Sequence, residues 1–199
     1  MTRVYVYSRF NRFWHWLQAV LVTLLLVTGL EVHYPGMDLF GFARAVEVHR
    51  MAAWSFTILI VFAIFWHIVT GAWHQYVPTR RFLPEMVGYY LSGIFRGKKK
   101  PVAKTPESKL NPLQRIVYTG LKILIIPVLV TTGFLYLFHN ELAGFGLGWL
   151  SLGVIAAVHM FAALLMLAFM IAHIYLVTTG KHPLDSIKAM ISGWEDLDE

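Results

Sequence analysis

The chain has 199 residues, 57% hydrophobic and only 14% charged, with a formal net charge of +6 and a mean hydropathy of +0.59. Soluble domains carry about a quarter charged residues, so the composition favours a membrane protein. Cysteine is absent, which excludes disulfides, iron–sulfur clusters, covalently attached c-type haem and cysteine zinc sites. The opening MTRVYVYSRFNR is too polar for a cleaved signal peptide, so the first apolar run is expected to remain in the mature protein.

Four apolar stretches are long enough to cross a bilayer, whose hydrocarbon core needs about 20 helical residues. In chain order they cover about residues 13–30, 51–73, 116–138 and 150–178. None alternates as a strand would, and polar, glycine- or proline-containing sequence bounds each one. Pro127 predicts a kink in the third stretch. The sequence therefore predicts an all-α membrane protein, with residues 1–199 forming a single domain built as a four-transmembrane-helix bundle.

Most of the 17 lysines and arginines fall on one side of this predicted bundle. That side comprises both termini and the basic loop 75–113, whereas the loops opposite hold only Arg44 and Arg50. The positive-inside rule therefore predicts that both termini are cytoplasmic. The run RGKKKPVAK in the basic loop favours contact with membrane lipid over nucleic acid, and PEMVGYYLSGIF before it is typical of a short amphipathic helix. Glu31 and Glu47 are expected to be solvated charges on the opposite side.

The chain has nine histidines, an unusual number for a membrane protein of this size. Ionisable groups are costly inside a bilayer, so those within apolar spans indicate a functional site. Four lie outside the spans, where solvated surface is the better interpretation: His33, His74, His139 and His182. Five lie in or at the edge of the spans: His15, His49, His67, His159 and His173.

The spacing of His159 and His173 on the fourth span predicts two separate sites. Fourteen residues correspond to about 1,400° of helical turn and ~21 Å along the axis, so both lie near one face but at opposite depths. A single metal ion cannot bind both of them. His49 opens the second span at the depth of His159, and His15 opens the first span at the depth of His173. We therefore predict the pairs His49/His159 and His15/His173.

Haem fits two such pairs, because a broad planar group with apolar edges can lie between the helices of a bundle. Two axial imidazoles leave no open position on the iron, which favours electron transfer over oxygen chemistry. Arg12 and Arg50 are candidates for binding haem propionates. Small residues on three spans are expected to let the porphyrin approach the helices: Gly29, Gly133, Ala162 and Ala163.

Other interpretations of the histidines are open. A single intramembrane histidine often only hydrogen-bonds a neighbouring helix. His67 lies 18 residues after His49 on the same helical face, and could replace His15 as the partner of His173. A histidine-lined transporter or metal permease would show inverted repeats and a midplane site. A membrane di-iron hydroxylase or desaturase would need several clustered histidines.

The chain resembles the di-haem cytochrome b subunits that anchor nickel–iron hydrogenases, formate dehydrogenase-N and thiosulfate reductase-type enzymes. Three segments carry the resemblance: RFNRFWHWLQAVLVTLLLVTGLEV in the first span, KLNPLQRIVY before the third, and VHMFAALLMLAFMIAHIYL in the fourth. The tail SIKAMISGW is also similar, so nearly the whole chain is covered. The resemblance identifies residues 1–199 as one transmembrane cytochrome b domain.

The resemblance implies two haem b groups and a subunit of a respiratory oxidoreductase in the bacterial cytoplasmic (inner) membrane. Electrons would pass between a periplasmic subunit, an iron–sulfur or multihaem protein, and menaquinone or ubiquinone. A quinone pocket is implied on the cytoplasmic side near His173 and Asn111. Asn111 and Gln114 are candidates for orienting a quinone carbonyl, although an ordinary helix cap is an equal alternative. Leu113 stands where formate dehydrogenase-N subunits have glycine, so the pocket is expected to differ in shape.

Overall fold

The computed structural model describes residues 2–98, 101, 102, 105, 108–179 and 183–197. The basic and histidine positions outside these ranges, to which the sequence predictions also applied, are Lys99, Lys100, Lys104, Lys181 and His182.

Four helical spans in this structure are long and apolar enough to cross a membrane, which confirms the predicted all-α membrane bundle. They cover Arg9–His33, Phe42–Thr70, Pro112–Leu137 and Leu152–Val177. The first three begin earlier than predicted, the second by nine residues. Hydropathy marks only the stretch suited to hydrocarbon, whereas a helix continues through polar residues wherever its backbone hydrogen bonds can form. His49 consequently lies about two turns inside its helix rather than at its start.

The regular elements are mostly helical. In chain order they are β1 (Thr2–Tyr5), α1 (Arg9–His33), α2 (Phe42–Thr70), α3 (Leu83–Gly88), α4 (Pro112–Gly120), α5 (Ile126–Leu137), α6 (Leu152–Val177), α7 (Asp185–Ser192) and β2 (Trp194–Leu197).

The third span is not one regular helix. Its halves α4 and α5 are joined by a π-helical turn, Leu121–Ile125, and Pro127 follows at the start of α5. Proline has no N–H and its ring clashes with the carbonyl four residues earlier, here that of Ile123. The π turn lies where these two defects fall, and the predicted kink itself stays a prediction.

The chain divides into two compact units, each with its own tertiary packing. The terminal unit comprises Met1–Phe13, Phe65–Lys122 and Met170–Glu199, and the hairpin unit comprises Trp14–Ile64 and Ile123–Phe169. The boundaries fall inside the four long helices. Whether the chain behaves as one domain stays a prediction.

The terminal unit contains a small antiparallel sheet that the sequence did not predict. β1 pairs with β2 in the register Thr2↔Leu197 to Tyr5↔Trp194. Gly193, before β2, has a φ of +90°, and a Cβ there would lie 2.5 Å from the Tyr5 ring, so glycine is required. TRVY holds three strand-favouring residues, but each strand has only four residues and the acidic WEDL has low strand propensity, so the pairing is not predictable from either segment alone. The predicted amphipathic segment is helical, as α3 followed by a π turn, Tyr89–Gly93.

The hairpin unit folds its first loop around a buried carboxylate. Glu31 near the end of α1 is fully buried, and its Oε1 accepts the backbone N–H groups of Phe40 and Gly41 at 2.9 Å each. Its Oε2 is buried without a hydrogen-bond partner among the described residues. The expectation that Glu31 is a solvated loop charge is therefore wrong. It ties the loop to α1 immediately before α2 begins at Phe42, whereas Glu47 is exposed as expected.

Candidate functional site

Two of the predicted ligand histidines meet in the hairpin unit. His49 of α2 and His159 of α6 are half-buried, with ring centroids 6.4 Å apart and planes inclined by 70°. A metal ion lies about 2.0 Å from an imidazole nitrogen, and that nitrogen is roughly 1.1 Å from the ring centre. Imidazoles on opposite sides of one metal ion would thus have centroids about 6.2 Å apart. The observed separation fits a single metal between the two rings.

A threonine hydroxyl holds the His49 ring. Thr28 of α1 is fully buried, and its Oγ1 lies 3.0 Å from Nδ1 of His49. The same hydroxyl donates its single proton to the Leu24 carbonyl at 2.6 Å. Its oxygen can therefore only accept from the imidazole, so Nδ1 of His49 carries the hydrogen. The neutral ring then has an unprotonated Nε2, the form that binds a metal.

His159 is held in the same way from the third span. Its Nδ1 lies 2.8 Å from Oγ1 of buried Thr132, and this hydroxyl donates to the Val128 carbonyl at 2.6 Å. By the same proton count Nδ1 of His159 is the donor and its Nε2 is unprotonated. The two histidines thus present matching ligand atoms, although sequence reasoning had singled out neither threonine.

Glycine follows each threonine and gives its histidine room. A Cβ at Gly29 would lie 3.2 Å from Cε1 of His49, and one at Gly133 would lie 3.6 Å from Cε1 of His159. The sequence interpretation assigned these glycines to close approach of a porphyrin. In the structure the nearest group that each glycine accommodates is the imidazole itself.

A local repeat underlies this arrangement. Residues 25–29 read LLVTG and residues 129–133 read LVTTG, and the Thr-Gly pair that ends each run lies beside His49 or His159. This pattern was a signal available in the sequence. It is not specific, because LVTTG recurs at residues 176–180.

The remaining intramembrane histidines have other neighbours. His173, in the terminal unit, has its Nδ1 3.4 Å from the Tyr118 hydroxyl. His67, in the same unit, faces Tyr76 with ring centroids 5.4 Å apart. His15 belongs to the hairpin unit and lies edge-on to Trp16. The pairing of His15 with His173, and its alternative through His67, stay predictions.

The two arginines predicted to meet haem propionates differ in their surroundings. In the terminal unit the Arg12 guanidinium donates from Nη1 to the backbone carbonyl of Ile191, while its Nε is buried without a hydrogen-bond partner among the described residues. Arg50 is exposed. Arg12 therefore already has a structural contact, and the propionate role of both arginines stays a prediction.

Asn111 and Gln114 form a capping box at the start of α4. The Asn111 Oδ1 accepts the backbone N–H of Gln114 at 2.9 Å, and Gln114 Oε1 accepts that of Asn111 at 3.0 Å. The Asn111 amide donates to the Tyr90 hydroxyl at 3.0 Å. The helix-cap alternative is confirmed. A contact of Asn111 or Gln114 with quinone stays a prediction.

A cavity of about 480 Å³ lies within the terminal unit. Ser8, Asn11, His67, Tyr76 and Lys109 are among its lining residues. Burial raises the pKa of Tyr76 to about 12, so this phenol is neutral at physiological pH and keeps its hydroxyl proton. Sequence reasoning missed the cavity because its lining comes from separate chain segments.

These features are those of one class of protein, a multi-pass helical membrane bundle with two half-buried imidazoles placed for one metal centre. The family model of the prokaryotic cytochrome b561 proteins matches residues 6–193. The chain is also 32% identical over 205 residues to YdhU of Escherichia coli (strain K12), which is named as a cytochrome, covering 96% of this chain and 74% of the relative.

The chain belongs to the prokaryotic cytochrome b561 family and is a membrane electron-transfer protein. The cofactor of such a protein is haem b, and the imidazole pair of His49 and His159 fits it. Family membership confirms the predicted cytochrome b resemblance. It sets aside the transporter and di-iron alternatives.

Proposed function

We propose that the chain is the di-haem membrane subunit of a respiratory oxidoreductase in the bacterial inner membrane. It carries electrons between a periplasmic redox partner and the quinone pool. The main support for the proposal is the pair of imidazoles, whose ring centroids are 6.4 Å apart and whose Nδ1 atoms each donate to a threonine oxygen.

His49 and His159 would hold the first haem through their unprotonated Nε2 atoms. When bound, the haem supplies a reversible one-electron change at its iron. The protein fixes both rings in the tautomer that binds metal, and two imidazoles on one haem would favour electron transfer over reaction with oxygen.

His15 and His173 bind the second haem. The support is the 14-residue spacing of His159 and His173 on the uninterrupted helix α6, which separates two cofactors by ~21 Å along one helix. Two haems rather than one are needed because a single cofactor cannot bridge a hydrocarbon core about 30 Å thick. Each electron that crosses works with or against about 2.3 kcal/mol per 100 mV of membrane potential.

Haem content is the first test of this function. We expect a pyridine haemochrome assay on purified protein to return two haems per chain, with a low-spin spectrum. Absence of haem would refute the proposal, and a single haem would show that one of the two histidine pairings is wrong.

The periplasmic partner, an iron–sulfur or multihaem protein, docks on the side opposite the basic loop. This orientation follows from the asymmetry of lysine and arginine. Glu47 is exposed there, whereas Glu31 is buried and unavailable to a partner. Glu47→Lys should slow association and change its salt dependence, with Glu47→Gln as the milder control. Crosslinking of the partner to residues 75–98 would overturn the orientation.

Menaquinone or ubiquinone reacts on the cytoplasmic side near His173 and Asn111, both in the terminal unit. The support is the Asn111 amide, whose Nδ2 carries a second hydrogen beyond the one donated to Tyr90. Asn111→Ser keeps a helix-capping oxygen but removes the amide, whereas Gln114→Ala disturbs the capping box and keeps the Asn111 amide. We expect only the first to lower quinone-linked turnover in fully haem-loaded protein. Equal loss in both variants would reduce Asn111 to a helix cap.

A further inference from the structure

The two threonines beside the histidine pair are equivalent in position and bonding. Thr28 is 0% and Thr132 7% exposed, and each places its hydroxyl oxygen 3.0 Å or less from an imidazole Nδ1. Each also donates to a carbonyl of its own helix, at 2.6 Å in both cases. The same threonine–imidazole contact thus occurs on two different helices, each time with a different histidine.

Each hydroxyl is held firmly enough to act on its histidine. Threonine is β-branched and has few χ1 rotamers in a helix, and its bond to the backbone carbonyl selects one of them. The oxygen therefore stays at the imidazole instead of rotating away. A flexible polar side chain at the same place would lose this contact part of the time.

A hydrogen bond donated by Nδ1 alters the ligand strength of Nε2 on the same ring. Drawing the Nδ1 hydrogen towards an acceptor raises the electron density and basicity of the imidazole. A more basic axial ligand stabilises the oxidised metal relative to the reduced one, because the oxidised form has the larger positive charge. The contact therefore lowers the reduction potential of a metal held between the two rings.

We propose that Thr28 and Thr132 are positioning residues that set the reduction potential of the haem held by His49 and His159. This inference rests on the proposed function. Each threonine fixes its histidine in the Nδ1–H tautomer and strengthens its Nε2 as an axial ligand. The step involved is the gain or loss of one electron at the haem iron, with the Nδ1 proton retained in both states.

Thr28→Val and Thr132→Val test the proposal, since valine has nearly the shape of threonine without the hydroxyl. We expect each valine variant to change the reduction equilibrium of one haem tenfold, which raises its midpoint potential by about 59 mV for one electron. The low-spin electron paramagnetic resonance signal of that haem should change as well. The serine variants at both positions restore the acceptor and should return the potential close to that of the parent protein.

The chain provides matched controls on the same helices. Thr23 of α1 and Thr131 of α5 are exposed threonines, so Thr23→Val and Thr131→Val make the same chemical change away from the histidines. We expect both controls to keep the parent potentials. If the valine variants fail to assemble, Thr28→Ala and Thr132→Ala provide the same measurement without added bulk.

The outcomes separate this inference from the proposed function. A parent protein without haem would refute the proposed function itself. A parent with two haems whose valine variants keep both potentials and both resonance signals would overturn the role of the threonines alone. Loss of haem in both the valine and the serine variants would show that the threonines act only through packing, which also overturns it.

Discussion

The two units hold their histidines differently. In the hairpin unit, His49 and His159 each donate a hydrogen bond from Nδ1 to the hydroxyl oxygen of a buried threonine, at 3.0 and 2.8 Å. In the terminal unit, Nδ1 of His173 lies 3.4 Å from the Tyr118 hydroxyl. The two threonine contacts have ordinary hydrogen-bond lengths, whereas the contact between His173 and Tyr118 is long. A short β-branched side chain on a rigid helix defines an imidazole more sharply than a phenol at the end of a longer one.

Removal of a hairpin-unit ligand should have the largest effect. His49→Ala and His159→Ala should each abolish one and the same haem, because a single remaining imidazole leaves an axial position empty. Optical redox titration and haem quantification would measure the loss, and the second haem should persist in both variants. If the two variants deplete different haems, His49 and His159 do not share a metal.

Two histidines, His15 and His67, are candidates for partner of His173. His15→Ala should remove the second haem and leave the one between His49 and His159. His67 faces Tyr76 and lines the cavity of the terminal unit, so His67→Ala should keep both haem spectra. The reverse result would transfer the ligand role to His67.

The glycines beside the histidine pair predict a smaller, graded effect. A Cβ at Gly29 would lie 3.2 Å from His49, so Gly29→Ala must push the ring aside by a few tenths of an ångström. We expect about a tenfold loss of haem affinity, the low end for disturbed ligand support. At Gly133 the corresponding 3.6 Å is ordinary contact, so Gly133→Ala is the matched control and should bind haem as the parent does. Equal losses in a haem-retention assay would show that both glycines serve the porphyrin.

Tyr118→Phe should have the smallest effect. It removes only a hydroxyl 3.4 Å from Nδ1 of His173, a contact too long to contribute much to ligand strength. The midpoint potential of the second haem should therefore move less than that of the first haem in Thr28→Val. A shift as large as the threonine one would abolish the proposed distinction between the two units.

Much of the architecture followed from the sequence because its causes are local. A run of about 20 apolar residues must form a helix in hydrocarbon, where no water can satisfy the backbone. The four spans follow from this rule. The helical segment after residue 82 and the irregular turn before Pro127 also have local causes. Helix periodicity also placed His159 and His173 near one face at two depths, and topology alone matched His49 to His159.

The exact helix bounds and the surroundings of individual polar residues could not be predicted from the sequence. The sequence predicts that Glu31 is a solvated loop charge, but its carboxylate accepts the backbone N–H groups of Phe40 and Gly41. These hydrogen bonds depend on the conformation of the loop. The pairing of β1 with β2 joins two four-residue segments that are far apart in the chain. These features depend on contacts between distant parts of the chain.

The candidate site also has features that the sequence predicts and features that it does not. Which histidines lie in apolar surroundings, and at what depth, can be predicted from the sequence, because hydropathy and helical rise are properties of one segment at a time. The contacts of Thr28 and Thr132 with His49 and His159 cannot, because they form between different helices. The same five letters that surround Thr132, LVTTG, occur again at residues 176–180. What distinguishes Thr132 is that His159 of another helix packs within 2.8 Å of its oxygen, and such packing is settled only when the helices meet.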